Sequence, residues 1–296
     1  MEALGAPLLP LLVSALHALH HPSPSPGDTA TTTTTTATCI TVQTALQQTT
    51  RTITHLGQLL DRMDDHCNPQ TFYHRIRPFL AGSRNMAAAG LPRGVFYDEG
   101  EGKGEWRCLR GGSNGQSSLV QFLDLVLGVE HLPTRNTGDV GGDGMKGTMS
   151  FHEEVRAYMP ERHRSFLEEV AAQFPGGMKK GVSELVAREV GDGDGLGAEV
   201  AAVRDAFEAA TRALAEFRGK HLQMVTRYII IPSRQPNVSS GVNLATASSK
   251  SKVPSSLPDG MHTGRELTGT GGTALLPFLK QSRDETLQAG QLQVHG

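Results

Sequence analysis

The sequence predicts an all-α protein, and three features indicate that class. Apolar side chains recur at helical spacing in most stretches between glycine and proline clusters, which is the pattern of amphipathic helices. The longest such run starts near Ala198 and ends at Pro232. Only residues 94–104 read as a short extended pair, around a Gly-rich acidic loop. Helices separated by irregular loops are therefore expected for most of the 296 residues.

Composition and charge argue against several classes of partner. The formal net charge of -2 is too small for a protein that binds nucleic acid or an anionic membrane surface through its charge. Cys39, Cys67 and Cys108 lie far apart without CxxC spacing, so neither a disulfide framework nor a zinc site is indicated. We therefore expect no nucleic-acid partner, no membrane partner and a reducing, cytoplasmic location.

The first element is predicted to be a core helix. Residues Leu8–Leu19 form an apolar run that is too short, and too often interrupted by proline and histidine, to span a bilayer. The run also resembles the apolar centre of a secretion signal, but Glu2 precedes it and no Lys or Arg occurs before Arg51. The pattern favours a helix entered through Pro10 over a secretion signal.

Low-complexity sequence separates this helix from the next one. Residues 21–38 alternate proline with serine and then run through threonines, a composition that cannot bury a core. We expect a disordered insertion there. From Cys39 to His66 apolar residues recur at a helical period on a polar background, which predicts a scaffold helix.

The segment after Asn68 combines aromatic residues with an arginine. Asn68-Pro69 suits the start of a helix, and Gly82 suits its end. Between them Arg77 lies inside an apolar group, where its permanent charge needs either an anion as a partner or a route to water along its own aliphatic stem. Local sequence favours the second interpretation and leaves the first open.

A glycine-serine turn precedes the next helix. Residues Gly111–Ser118 lead into the apolar run Leu119–Leu127, which Gly128 closes. Glycines permit a close approach of backbone to a ligand, and a helix N-terminus attracts an anion. Such a turn is more often a plain capped helix start, and this one lacks the spacing of phosphate-binding and dinucleotide-binding loops.

The remaining helices are separated by loops. A helix over Phe151–Phe174 is expected to break at Pro160, and a flexible linker is expected at 191–197. Residues 233–268 are largely polar and show no period, which predicts a flexible lid loop. A second glycine-rich turn, Gly269–Thr273, then enters a final helix.

One histidine interrupts the apolar stripe of the long helical run. Leu214, Phe217, Val225 and Tyr228 recur at helical spacing, and His221 occupies the same face. A buried neutral imidazole needs a partner for each ring nitrogen. The sequence alone leaves two interpretations, a hydrogen-bonded core residue or a ligand of a haem iron.

Five segments, in the same order and spacing, resemble one family. They are residues 68–82 (NPQTFYHRIRPFLAG), 111–118 (GGSNGQSS) with Asp124 following, 159–167 (MPERHRSFL), 218–232 (RGKHLQMVTRYIIIP), and 269–273 (GTGGT) with a following FLK. Together they resemble indoleamine 2,3-dioxygenase. The resemblance covers residues 52–131 and 150–287, with a fainter likeness near the N-terminus.

The resemblance implies a haem protein that opens the indole ring of L-tryptophan with dioxygen and yields N-formylkynurenine. Residues 1–296 would then form a single α-helical haem-binding domain of a monomer, the catalytic domain of the family. His221 matches the axial ligand of the iron of haem b. Arg218, one turn earlier, matches a residue near a haem propionate, with Asp124 as its ionic partner.

The resemblance also assigns the substrate contacts. Arg77 matches the residue that holds the substrate carboxylate, and this would supply the anion that its apolar setting calls for. Phe72 matches a residue that packs on the indole ring. Gly112 and Ser113 match the turn that lines the pocket floor, and Thr270 matches the lid residue that meets the substrate ammonium. The haem supplies the oxidising chemistry, so no acid or base from the protein is expected.

Departures from the family pattern leave alternatives open. Ser83 stands where the family commonly has tryptophan, and Asn114 where it commonly has alanine. Members of the family carry a small N-terminal domain and a helix over the distal face of the haem, and this chain is expected to begin after both. The sequence is therefore also compatible with a haem-binding protein that does not turn over substrate, or with a cofactor-free scaffold in which His221 is a core residue.

Overall fold

Helices make up nearly all of the regular structure. The computed structural model describes residues 1–21, 28–87, 90–133, 150–192, 196–234, 269–270 and 275–292. In chain order the helices are α1 (Glu2–Gly5), α2 (Leu8–His20), α3 (Asp28–Asp61), α4 (Met63–His66), α5 (Pro69–Thr71), α6 (Arg77–Leu80), α7 (Ser118–Leu127), α8 (Phe151–Arg156), α9 (Glu161–Gln173), α10 (Gly177–Asp192), α11 (Gly197–Val225), α12 (Ile231–Ser233) and α13 (Leu275–Ala289). The all-α prediction is confirmed.

One apolar core lies around the long helix α11. This helix packs most extensively on α3 and also contacts α13 and α10, while α2 packs on α3. Leu46 and Ile53 of α3 and Phe207 and Leu214 of α11 are almost completely buried. Each of these helices is apolar on one face, so burial of those faces against one another is what stabilises the bundle.

The N-terminal segment is a core helix, as the pattern favoured. Leu8, Leu12 and Leu16 of α2 are at most 1% exposed. The helix begins at Leu8, ahead of Pro10, because a proline in the first turn lacks only an N–H group that has no helical partner there. Among the described residues, no helix combines the length and hydropathy needed to cross a membrane.

The disordered insertion predicted for residues 21–38 needs correction for residues 28–38. Helix α3 begins at Asp28 and includes them, whereas residues 22–27 lie outside the described part of the chain. In a helix, threonine is less favourable than alanine by only about 0.5 kcal/mol. Its hydroxyl can also donate to the carbonyl one turn back, as Thr41 does to Ala37 O at 2.9 Å. The lid loop predicted for 233–268 lies outside the described residues from position 235 onward.

Two π-helical turns interrupt the helical segments near the candidate site. They span Phe72–Ile76 and Thr226–Ile230, and each is followed two residues later by a proline, Pro78 or Pro232. Proline has no N–H to donate and clashes with the carbonyl four residues earlier in an α-helix. A widened turn with i→i+5 hydrogen bonds accommodates that constraint.

The short extended pair predicted at 94–104 is confirmed as an antiparallel hairpin, β1 (Val95–Gly100) and β2 (Lys103–Arg107). Phe96 lies opposite Trp106, and their rings meet edge to face at 5.6 Å. The Arg93 guanidinium lies 4.1 Å from the Trp106 ring centroid. Trp106 therefore has a packing role, as expected, although it is 47% exposed.

The ends of α7 and the start of α9 lie where serine, glycine and proline in the sequence predicted them. The Ser117 hydroxyl accepts the amide of Val120 at 3.3 Å at the start of α7, and Gly128 ends that helix in the left-handed conformation. The predicted break at Pro160 separates α8 from α9. Helix α10 occupies a stretch to which the sequence analysis assigned no element.

Candidate functional site

His221 lies near the C-terminal end of α11, on the predicted apolar stripe. Leu214, Phe217, Val225 and Tyr228 of that stripe are each at most 8% exposed, whereas His221 remains partly exposed. Burial, with a smaller effect of the Arg218 charge, lowers the pKa of His221 to about 4. The imidazole is therefore neutral at neutral pH, and a neutral imidazole keeps one nitrogen with a lone pair.

Arg218 lies one helical turn before His221 and is fixed by two neighbouring helices. One terminal nitrogen, Nη2, donates to both carboxylate oxygens of Asp124 on α7, at 2.8 and 2.7 Å. The other, Nη1, donates to the hydroxyl of Thr286 on α13. The ion pair that the resemblance implied between Arg218 and Asp124 is thus present, and it holds the pKa of Asp124 below its usual value even though burial acts in the opposite direction.

Two further residues extend this ion pair, and no sequence pattern predicted either of them. The ring of His131 lies between two carboxylates, with Nε2 at 3.1 Å from Asp124 Oδ2 and Nδ1 at 2.6 Å from Glu285 Oε2. Glu285 also accepts the amide of Leu132 at 3.0 Å. No periodicity or spacing points to these contacts, because His131 and Glu285 are 154 residues apart in sequence.

One potential ligand atom from each of Asp124, His131 and His152 lies within 4.8 Å of the other two, a distance at which three such groups can share a cation. The two imidazoles, however, are stacked, with centroids 3.9 Å apart and planes at 21°. Lone pairs lie in the ring planes, so stacked rings do not direct them at one point. The Arg218 guanidinium also occupies the Asp124 carboxylate. The arrangement therefore fits a hydrogen-bonded charge network better than a metal centre.

The glycine-rich turn before α7 is held against two other segments. Gly112 N donates to Leu80 O at 3.0 Å, Gly111 N donates to Thr270 O at 3.2 Å, and the Thr270 hydroxyl donates to Gly112 O. A Cβ at Gly111 would lie 2.4 Å from both Gly82 N and Leu80 O, which no side chain tolerates. At Gly112 a Cβ would meet only Leu80 O, at 4.0 Å. The turn is thus closely packed at one glycine and open at the next.

Ser113 follows within the same turn and is partly exposed. Its hydroxyl accepts the amide of Gly115 at 3.2 Å, and its own amide donates to the side chain of Gln116 at 3.3 Å. These local bonds shape the turn that enters α7. Seven residues after the cap Ser117, the same helix carries Asp124, so α7 connects the turn with the Arg218 ion pair.

Phe72 and Arg77 are related by the first π-helical turn. The amide of Arg77 donates to Phe72 O, so the two residues are one widened turn apart. Phe72 meets the ring of Tyr228 edge to face at 5.7 Å, which brings the two π-helical turns together. Arg77 is 1% exposed, with its guanidinium carbon 5.6 Å from the Tyr73 ring centroid, and burial lowers its pKa. Snorkelling to water, which local sequence favoured, is excluded for this side chain.

Tyr228 fastens the second π-helical turn to the segment that precedes Phe72. Its hydroxyl lies 2.8 Å from Asp64 Oδ1, 2.9 Å from Cys67 O and 3.1 Å from Met63 O. Burial and the Asp64 carboxylate raise the pKa of Tyr228 to about 12. The hydroxyl thus remains protonated, and it links the end of the His221 helix to the segment that carries Phe72 and Arg77.

The sequence model of the indoleamine 2,3-dioxygenase family matches residues 1–289. The chain belongs to this family. An indoleamine 2,3-dioxygenase of Saccharomyces cerevisiae is 37% identical over 257 residues, covering 83% of this chain and 50% of the yeast protein. One of Aspergillus nanangensis is 32% identical over 294 residues, covering 99% of this chain and 58% of the fungal protein.

The family is one of oxidoreductases, and its members' names differ in substrate. A 6-hydroxytryptophan 2,3-dioxygenase of Fusarium equiseti is 34% identical over 246 residues, covering 83% of this chain and 50% of that protein. The chain spans about half the length of the curated relatives it matches. Residues 1–289, which the family model matches, include each of the five segments that carry the resemblance.

Proposed function

We propose that the chain is the helical haem-binding part of a dioxygenase that opens the indole ring of L-tryptophan or a substituted tryptophan and yields the N-formylkynurenine product. The observation that carries the proposal is the setting of His221. Its neutral imidazole is partly exposed on a face that is otherwise buried, and Arg218, one turn earlier, is anchored to two other helices.

The residues present fit a haem. A neutral imidazole is the form that binds iron, and the low pKa of His221 means that no proton has to be displaced at neutral pH. Gly112 leaves open space where a side chain would stand, and a flat macrocycle needs that kind of approach to backbone. In this proposal His221 holds the iron, Arg218 lies toward a propionate, and Gly112 and Ser113 line the pocket.

The other residues would bind and orient the substrate. The haem iron, when bound, supplies the activation of dioxygen. The buried Arg77 guanidinium would hold the substrate carboxylate with two parallel hydrogen bonds, and Phe72, one widened turn away, would pack on the indole ring. Thr270, already fixed to the Gly112 turn, would meet the ammonium group. Such positioning would fix the orientation of the indole ring, which is the ring that is opened, relative to the iron.

Haem titration of the full chain tests the cofactor. We expect wild type to develop a Soret band with the spectrum of a histidine-bound haem. The variant His221→Ala should bind haem at least about 100-fold more weakly, because the bond between histidine and iron contributes more than the roughly 3 kcal/mol that such a change in the dissociation constant represents. His55→Ala removes an exposed histidine of α3 and should bind haem like wild type. Wild-type haem affinity in His221→Ala would refute the ligand assignment.

Turnover needs a separate measurement. The reduced, haem-loaded chain is mixed with L-tryptophan and dioxygen, and formation of N-formylkynurenine is followed. A bound haem whose spectrum L-tryptophan does not shift, with no product formed, would overturn the dioxygenase assignment for this chain and leave a haem-binding protein in its place.

A further inference from the structure

A buried group of charged side chains connects three helices and one loop. This polar clasp consists of Asp124 on α7, His131 in the following loop, Arg218 on α11, and Glu285 and Thr286 on α13. Each of its four charged or titratable side chains is less than a tenth exposed. The clasp lies one helical turn from the proposed iron ligand, because Arg218 precedes His221 by three residues.

The hydrogen bonds of His131 determine its protonation. Its two nitrogens each face a carboxylate oxygen, Glu285 Oε2 at 2.6 Å and Asp124 Oδ2 at 3.1 Å. An ionised carboxylate only accepts hydrogen bonds, and a neutral imidazole has only one N–H to donate. Both contacts are therefore satisfied only when the ring carries a proton on each nitrogen.

Charge balance leads to the same state. Without His131 the clasp contains two carboxylates and one guanidinium, which leaves a net negative charge in a buried setting. Burial by itself lowers the pKa of His131, but the charge of Asp124 and the hydrogen bonds to Asp124 and Glu285 outweigh it, so the pKa is raised despite the nearby Arg218. The stacked His152 stays neutral, since burial, His131 and nearby arginines lower its pKa to about 3.

We propose that His131 is a buried imidazolium that joins α13 to the Asp124–Arg218 ion pair and thereby acts as a positioning residue for the helix that carries His221. The clasp holds Arg218 from two sides, through Asp124 and through Thr286. Loss of the imidazolium proton leaves one carboxylate contact unsatisfied and the clasp negatively charged. The iron-directed part of this inference rests on the proposed function, whereas the protonation state does not.

Nitrogen-15 NMR of the histidine rings in the haem-free full chain tests the protonation state directly. We expect one ring, assigned by its disappearance in His131→Phe, to show both nitrogens protonated at pH 6 and to titrate above the ordinary histidine value, because the pKa of His131 is raised. The matched control His152→Phe removes the stacked ring and should leave that signal in place. A neutral His131 ring at pH 6 would overturn the proposal.

Haem binding tests the positioning role. Partners behind a metal ligand commonly change metal affinity by about 10- to 100-fold, and we expect a loss in that range for His131→Phe and little loss for His152→Phe. Wild-type affinity should fall as pH rises through the His131 titration, whereas His131→Phe should lack that step.

A rescue experiment separates charge balance from simple packing. Glu285→Gln in the His131→Phe background removes the uncompensated carboxylate and should recover part of the haem affinity. Equal affinity in wild type and His131→Phe, or no recovery in the double variant, would overturn the positioning role. If haem binds normally but the NMR signal is neutral, the inference fails while the proposed function stands.

Discussion

Arg77 and Arg218 are both buried arginines, but their surroundings differ. Arg218 lies between Asp124 and Thr286, so its charge is balanced within the protein. Arg77 lies against the Tyr73 ring, and burial lowers its pKa, which means that its charged form is poorly solvated. A carboxylate ligand would stabilise the charged form of the guanidinium, which is what the substrate contact proposed for Arg77 requires.

The Arg77→Lys variant tests this placement. A lysine keeps the charge but loses the planar fork that binds a carboxylate through two hydrogen bonds. We expect the dissociation constant for L-tryptophan, read from the shift of the haem spectrum, to rise about tenfold or more, as for the loss of one charged hydrogen bond of roughly 1.5–3 kcal/mol. Arg75→Lys changes an exposed arginine of the same turn and should not alter binding; equal effects of the two variants would contradict the assignment.

Two adjacent glycines provide a second test at the residue scale. Gly111→Ala places a methyl group 2.4 Å from two backbone atoms, and overpacking of this kind costs about 1–3 kcal/mol. Gly112→Ala enters open space and should change the free energy of unfolding by less than about 0.5 kcal/mol. Chemical denaturation measures both. A Gly111→Ala protein as stable as Gly112→Ala would show that the three segments around the turn are not packed as described.

Among the secondary structure elements, the segment from Asn68 to Leu80 shows how much local sequence controls. Asn68 caps α5 by accepting the amides of Gln70 at 2.9 Å and Thr71 at 3.1 Å, and Pro69 occupies the first turn. These features were predicted from the residues alone. The π-helical turn was not, although the prolines after both such turns provide a signal that a search for interrupted helical patterns would find.

The cap can be removed without replacing any residue of the proposed site. Asn68→Ala should lower the free energy of unfolding by about 1 kcal/mol, because two amides lose their acceptor, and should weaken L-tryptophan binding by disordering the turn that carries Phe72. Asn68→Ser retains a capping oxygen and should preserve both properties. The comparison requires denaturation curves and spectral titrations; a site unaffected in Asn68→Ala would separate the cap from the position of Phe72.

Across the whole molecule, the polar clasp connects residues that lie far apart in the sequence. Asp124 and Arg218 are 94 positions apart, and His131 and Glu285 are 154 apart. They meet because side chains of α7 and α13 both contact Arg218 of α11. Buried charges of this kind stabilise a fold only when they are paired and fully hydrogen-bonded, so the stability of the bundle should depend on their protonation.

Stability of the haem-free chain should therefore pass through a maximum near pH 6.5, the ordinary histidine value. The pKa of His131 is raised. The stability that His131 contributes is therefore fully present below pH 6.5 and is lost as the pH rises through the raised pKa. The pKa of His152 is lowered to about 3, so its contribution is lost as pH falls from 6.5 toward 3. Free energies of unfolding measured from pH 4 to 9 check this.

Each of two histidine variants tests one limb of that curve, and His221, whose pKa is also lowered, to about 4, adds to the decline below pH 6.5. His131→Phe should remove the decline above pH 6.5, and His152→Phe should reduce the decline below it. A stability curve that keeps its high-pH decline in His131→Phe would assign that decline to another group.

The sequence by itself determined the all-α class, several helix boundaries and the helical face on which His221 lies, because periodicity, caps and proline act over a few residues. The motifs also identified the family. Only the tertiary structure decided that Arg77 is buried and that His131 and Glu285 complete the Arg218 ion pair. These features depend on contacts between helices that are distant along the chain, and the energy of such contacts leaves no periodic trace in any single segment.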